Sequence, residues 1–333
     1  MLDPTLLNEA RKLILASRRI LVTTHVKPDG DAAGSMGGLV DALRALGKEV
    51  APLFLSAVPH WYEFLVRPET QVIGRDLSMK DLLQSGTRDI DLFIILDANS
   101  CNQLPDIGAF ASQSEKPVLV VDHHATSDGL GSLELVDTGA AATGLLIYEL
   151  LTVSGWEITE RMAEALFVAI ATDTGWFQFG NADSRVYRAA AALIEAGAQP
   201  ANLYAALYQN FSYARFMLTQ AMLNTLELHF EDQFAYQHLR RADFERTDTE
   251  QADTENLINE CHRIGSIRAS VLLVELEDGR IRCSLRSRGS VDVSKIAQAF
   301  GGGGHQMASG TFLEGPLENA KQAIIEAFRP YFE

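Results

Sequence analysis

Four stretches of the 333-residue chain place carboxylates and imidazoles where an apolar run ends. His25, Asp29 and Asp31 lie in THVKPDGDAAGS, Asp97 closes DLFIILD, Asp122, His123 and His124 close PVLVVDHH, and Asp173 ends AEALFVAIATD. An isolated D-x-D turn such as Asp29-Gly30-Asp31 is more often an Asx turn with a helix cap than a ligand pair, and Asp97 taken alone also reads as a cap. Tandem histidines after an apolar strand are harder to assign to packing, because Leu or Phe would fill the same space without a polar cost. They favour a metal or phosphate role. Asp173 points the same way, since a carboxylate at the end of so apolar a helix is costly to bury unless it is paired or binds a cation.

Together His25, Asp29, Asp31, Asp97, His123 and Asp173 form a donor set without thiolates. That set suits Mn²⁺, Mg²⁺, Co²⁺ or Fe²⁺ better than structural zinc. Six donors exceed the needs of one ion and match two ions that share a carboxylate, with water and substrate oxygens filling the remaining positions.

Positioning these residues requires a particular architecture. From residue 18 onward, short β-branched runs (RILVTTH, EVAPLFL, DLFIILD, PVLVVDHH) alternate with helical stretches, one around Gly34 to Leu46. The alternation predicts an α/β fold with a mainly parallel sheet flanked by helices, and in such sheets ligands bind beyond the carboxyl ends of the strands. Residues from about 140 to 227 read as consecutive helices (ATGLLIYELLTV, ITERMAEALFVAIATD, SRVYRAAAALIEAG, FMLTQAMLNTLEL), interrupted by TDTGWFQFGN. The texture then changes to a smaller α+β domain: HFEDQFAYQHLR, a helix DTENLINECHRI, the strand pair ASVLLVEL and RIRCSLRS around an Asp278-Gly279 turn, a glycine run, and an amphipathic terminal helix. The expected organisation is 1–190 for the first domain, 191–227 for a helical connector and 228–333 for the second.

Composition limits the partners. Forty-seven per cent hydrophobic residues support packed cores, while 28 Lys+Arg against 44 Asp+Glu leave a net charge of −16. Nonspecific affinity for long nucleic acid comes mainly from cations neutralising phosphates, so this excess of acid argues against it. Three scattered cysteines give no disulfide framework, the charged N-terminal stretch reads as a surface helix and not a signal peptide, and no long apolar run suggests a membrane span. A cytoplasmic location is expected. Trp61, Tyr62 and Phe64 beside His60 read as a packed helix, and Phe177 and Phe179 read as wall or interdomain residues and not as base stackers. His229, His238 and His262 lack partner acids at ligand spacing.

The series THVKPDGDAAGS, ILDA, VDHH, TDTGWF and GGGGH resembles the DHH phosphoesterase superfamily with its C-terminal DHH-associated domain, over about residues 15–315. Size and domain plan resemble the bacterial nanoRNase/pAp phosphatase branch. The resemblance implies an active site in the interdomain cleft and two divalent cations, Mn²⁺ first. His25 and Asp29 would ligate one, Asp31, His123 and Asp173 the other, with Asp97 bridging. Asp122 would orient a histidine, and His124 would contact the substrate phosphate or help protonate the leaving oxygen. Arg286, Ser287, Gly303, Gly304 and His305 would grip the substrate; the glycine run is not a Walker A loop, because no Lys-Ser/Thr follows it. The sequence departs from the family pattern at Lys27 and at Asn99-Ser100-Cys101, neither of which removes a ligand.

The implied reaction is hydrolysis of short oligoribonucleotides to 5′-mononucleotides and of pAp to AMP and phosphate. The alternatives are a phosphodiesterase for linear or cyclic dinucleotides of the pApA and c-di-AMP type, a RecJ-like single-strand exonuclease, a pyrophosphatase, and a non-catalytic nucleotide-binding module. Expected partners are such short nucleotides, with no long nucleic acid and no membrane; a homodimer stays open.

Overall fold

Six runs of the first half form strands, and the four longest bury residues on both faces, as the strands of a parallel sheet covered by helices must. In the computed structural model, which describes residues 2–83 and 89–332 and of His305 only the backbone, they are β1 (Arg19–Thr24), β2 (Glu49–Phe54), β3 (Gln71–Val72), β4 (Leu92–Leu96), β5 (Val118–Asp122) and β6 (Leu133–Val136). They lie in the order β3-β2-β1-β4-β5-β6, and every pair is parallel. The helices of this half are α1 (Pro4–Ala16), α2 (Gly30–Ala45), the single turn α3 (Met79–Asp81), α4 (Ile107–Ser112), α5 (Thr143–Ser154), α6 (Glu160–Asp173), α7 (Ser184–Glu195) and α8 (Pro200–Tyr208). One sheet face packs Ile20, Val22, Ile94, Leu96 and Val121 against α1, α2, α5 and α6, and the opposite face packs Leu21, Phe93, Ile95 and Val120 with Ile107 and Ala111 of α4. Chain order reverses between β1 and β4, which makes their carboxyl ends the switch point where α/β sheets bind ligands.

The second half forms its own sheet. Strands β7 (Glu227–His229), β8 (Phe234–Leu239), β9 (Ala269–Glu275), β10 (Ile281–Ser287), β11 (Gly303–His305) and β12 (Ala308–Leu313) take the order β11-β12-β10-β9-β8-β7, antiparallel except for the parallel pair β8/β9. Helices α9 (Tyr213–Leu223), α10 (Arg241–Thr247), α11 (Val293–Ala299) and α12 (Leu317–Phe328) complete it. Phe234, Tyr236, Val271, Leu273 and Leu285 pack on one face with residues of α11 and α12, while Leu239, Leu272 and Val274 pack on the other with Leu218 and Met222 of α9.

The compact units are 1–210 and 211–333. Leu193, Leu203 and Leu207 join the core of the first, and Leu218 and Met222 join a core of the second, so the segment expected as connector is divided between the two. Three expectations of secondary structure need correction. The helix placed at Gly34 starts at Gly30, because Asp29 caps it by accepting the Ala32 N–H at 3.0 Å. Residues 253–264 are not one helix but parts of two 3₁₀ segments, Gln251–Thr254 and Leu257–Arg263, separated by Asn256 in the left-handed region at φ 62°. The segment His60–Leu65 is likewise 3₁₀, with Trp61 and Tyr62 buried and Phe64 exposed. Among the described residues, no helix is long and apolar enough to cross a membrane.

Candidate metal centre

Three strands and two helices deliver the polar residues to one place. His25 follows β1, Asp97 follows β4, Asp122 ends β5 with His123 and His124 next in sequence, Asp31 sits in the first turn of α2, and Asp173 is the last residue of α6. The α2/α6 approach that brings the last two together depends on a missing side chain. A Cβ on Gly34 would stand 2.3 Å from the Ala165 carbonyl oxygen and 2.9 Å from the Ala169 backbone nitrogen, and backbone cannot yield as a side-chain tip can. Gly34→Ala is therefore expected to destabilise the fold by about 1–3 kcal/mol, read as a lower thermal midpoint in metal-free buffer.

Asp97 is 1% exposed and touches both sides of the centre. Its Oδ2 is 3.4 Å from His25 Nε2, and its Oδ1 is 3.4 Å from His123 Nε2 and accepts the Thr143 hydroxyl at 3.0 Å. His25 Nε2 is also 3.9 Å from Asp29 Oδ1. On the other side, His123 Nε2 stands 3.2 Å from Asp173 Oδ2 and 3.7 Å from Asp31 Oδ2. Asp122 Oδ1 is 2.7 Å from His124 Nδ1 and accepts the backbone N–H groups of His123 and His124, which fixes the tandem pair.

Asp31 is completely buried and draws on a second helix. Thr143 and Gly144, at the N-terminus of α5, donate their backbone N–H groups to its carboxylate at 2.6 and 2.8 Å, and Ser35 donates its hydroxyl at 3.0 Å. Two helix N-termini thus face one carboxylate, an arrangement that favours negative charge. Thr143 was absent from the sequence-level site. The signal available was the small-residue run DTGAAATG just before an apolar helix, whose Ala140 carbonyl also lies 3.3 Å from His123 Nδ1.

The electrostatics describe a centre short of positive charge. Burial works against protonation of His25 and His123, yet the Asp97 carboxylate outweighs it and raises them to about 9 and about 10. Burial also opposes ionisation of Asp97, but its hydrogen bonds with His123 and His25 hold it far below the usual carboxylate range. Asp31 and Asp173 are pushed well above that range, first by burial, then by repulsion from Asp97 for Asp31 and from Asp31 for Asp173.

The donor sets His25/Asp29/Asp97 and Asp31/His123/Asp173 each have ligand atoms within 4.8 Å of one another. Donors around a small divalent ion at about 2.1 Å sit roughly 3.0–3.4 Å apart, and the observed contacts of 3.2 and 3.4 Å match that spacing. Asn99, one of the departures from the family pattern, is buried and braces the segment after His124 by donating its amide to Ser127 Oγ at 2.9 Å and Glu134 Oε2 at 3.1 Å.

In the second unit, the residues expected to bind substrate are placed as follows. Arg286 is partly buried and donates to the Leu285 carbonyl at 3.0 Å, and its neighbour Ser287 is buried with its hydroxyl donated to the Val291 carbonyl at 2.7 Å. Gly303 and Gly304 do not form an open loop: with the His305 backbone they make the edge strand β11 on β12. The His305 side chain lies outside the described residues.

A doubly covered parallel sheet with a carboxylate-imidazole centre at its switch point is matched, over residues 19–170, by the DHH family, N-terminal domain, and residues 231–333 match the DHHA1 domain. The chain belongs to the DHH family of metal-dependent phosphoesterases. Within that family it is NrnA-like: it is 33% identical over 317 residues to the "bifunctional oligoribonuclease and PAP phosphatase NrnA" of Thermus thermophilus, covering 93% of this chain and 89% of the relative. With the Bacillus subtilis protein of the same name it shares 29% over 297 residues, 88% of this chain and 89% of the relative. In fold it is similar to an exopolyphosphatase-related protein from Bacteroides fragilis, with TM-score 0.91 at 24% identity over 100% of this chain and 98% of the other. Exonuclease RecJ bound to manganese shares the fold at TM-score 0.55 and 16% identity, over 100% and 96% of the two chains.

Proposed function

We propose that this phosphoesterase hydrolyses short oligoribonucleotides to 5′-mononucleotides and pAp to AMP and phosphate, using two divalent cations, Mn²⁺ first. The observation that carries the reading is the pair of donor sets meeting at Asp97, in a chain that aligns over most of its length with relatives named for these two activities. His25 and Asp29 would hold one cation and Asp31, His123 and Asp173 the other, with Asp97 shared between them. When bound, such ions activate the attacking water and neutralise charge on the phosphoryl oxygens. The chain's own groups do the rest. Thr143 fixes two of the donor carboxylates, giving its hydroxyl to Asp97 and its backbone N–H to Asp31, and Asp122 orients the His124 ring through Nδ1. His124 then contacts the phosphoryl group or passes a proton to the leaving oxygen.

The second unit supplies the grip. Arg286, with a partly buried guanidinium, is the cation for a second phosphate, and Gly303, Gly304 and His305 form the edge presented to the nucleotide. The hydroxyl of Ser287 is committed to the Val291 carbonyl, so Ser287 serves by holding the turn after Arg286 in place. Arg286→Ala is expected to raise KM for pAp about 10- to 100-fold, the value of losing a charge-assisted contact, with a smaller change in kcat. The reading as a whole is tested by rates with Mn²⁺ on pAp, pApA, a short RNA, c-di-AMP and pyrophosphate: pAp and the RNA should turn over fastest, and a preference for pyrophosphate or c-di-AMP would replace it.

A further inference from the structure

The turn after Asp173 is held in an uncommon shape. Gly175, Trp176 and Phe177 are successive residues in the left-handed region, at φ 56°, 58° and 64°, a conformation that only glycine enters without steric cost. Aromatic packing fixes it: the Trp176 ring sits 5.9, 5.2 and 5.7 Å from those of Phe167, Tyr204 and Tyr208, and Phe177 lies 5.4 Å from Phe167 and 5.7 Å from Tyr187. The Tyr187 hydroxyl donates to the Phe177 carbonyl at 3.2 Å. Past these residues the chain folds back, with the N–H groups of Gln178 and Phe179 both donating to the Thr174 carbonyl at 2.9 Å.

The outcome concerns Phe179. Its ring lies against Gly175 so closely that a Cβ there would meet ring carbons at 2.4 Å, yet Phe179 remains 58% exposed. The loop that carries it starts at Asp173, and Asn181 returns to that start by donating its amide to the Asp173 carbonyl at 3.1 Å. An exposed ring seated on Gly175, on a loop that starts at the metal-site residue Asp173 and hydrogen-bonds back to its backbone carbonyl, is poor packing for a wall residue and good geometry for a stacking surface. The occupant with a flat apolar face that belongs at a phosphoester centre is a nucleobase. Stacking also suits a chain of net charge −16, whose overall field does not favour phosphates.

We propose that Phe179 is a stacking platform for a nucleobase next to the scissile phosphate. The proposal rests on the phosphoesterase reading above and goes beyond it by naming a residue that selects for base-bearing esters. The test compares kcat/KM for a ribodinucleotide with that for the same sugar-phosphate backbone lacking both bases, in the full-length Mn²⁺-loaded protein. Phe179→Ala and Phe179→Leu are expected to lower the ratio of the two about 5- to 150-fold, the span of measured base–aromatic stacking, while Phe179→Tyr and Phe179→Trp keep it within about threefold. An equal loss on both substrates, leaving the ratio unchanged, overturns the platform and makes Phe179 a support of the loop. Failure of the unaltered protein to cleave the dinucleotide overturns the substrate reading itself, and the platform with it.

Discussion

Asp97→Asn is expected to lower hydrolysis of pAp and of short RNA by at least ~1000-fold, a loss of about 4 kcal/mol in transition-state stabilisation. Asp97 stands within 3.4 Å of imidazole donors on both sides of the centre. Asn keeps its shape and can still accept from Thr143, but it removes the negative charge and places an amide N–H₂ near the nitrogens of His25 or His123. The backbone tolerates the change, because Asp97 sits at φ 58° and Asn is among the few residues that enter the left-handed region readily. Folding by circular dichroism should therefore match the parent protein, while bound Mn²⁺ falls. Without the Asp97 anion the two imidazoles should also titrate closer to their ordinary range, visible in histidine NMR signals of the metal-free protein. Turnover within tenfold of the parent enzyme would remove Asp97, and the two-ion assignment built on it, from the centre.

How far the site could be read without coordinates follows from the kind of signal each residue leaves. Adjacent polar residues that end a fully buried strand have no packing reason to be there, which is why the Asp122-His123-His124 cluster stood out from sequence, whereas Asp97, which alone reads as a cap, gained its role only within the full donor set. The parallel sheet was legible for the same reason: continuous β-branched runs such as LFIIL and VLVVD are buried on both faces. Thr143 left no such mark. Its role comes from tertiary placement, α5 starting beside Asp31, and the small-residue run before it marks a helix start without saying what that start faces. Residues 253–264 were misread because Leu257, Ile258 and Cys261 mimic helical spacing, while one Asn in the left-handed region was enough to break the helix. The exposure that sets Phe179 apart is not encoded locally. Only the close seat on Gly175 distinguishes it from a wall residue.

Metal uptake should depend steeply on pH, in a direction set by the histidines. In the metal-free protein His25 and His123 hold their protons up to about 9 and about 10, so near neutral pH both are cationic. A ligating imidazole must be neutral, and each cation entering must displace such a proton. The raised positions of Asp31 and Asp173 add to the same requirement, because a protonated carboxyl must also be ionised to ligate. Affinity therefore rises with pH until these positions are passed, and falls as pH drops. With one to two protons released, Kd for Mn²⁺ is expected to tighten roughly 10- to 100-fold per pH unit between about pH 6.5 and about pH 8.5. Calorimetry in buffers of different ionisation enthalpy counts the protons directly. In Asp97→Asn the slope should shrink even as affinity falls, because the anion that keeps both histidines charged is gone. An affinity independent of pH over that window would mean that neither histidine gives up a proton to the metal, and the ligand assignment of His25 and His123 would not stand.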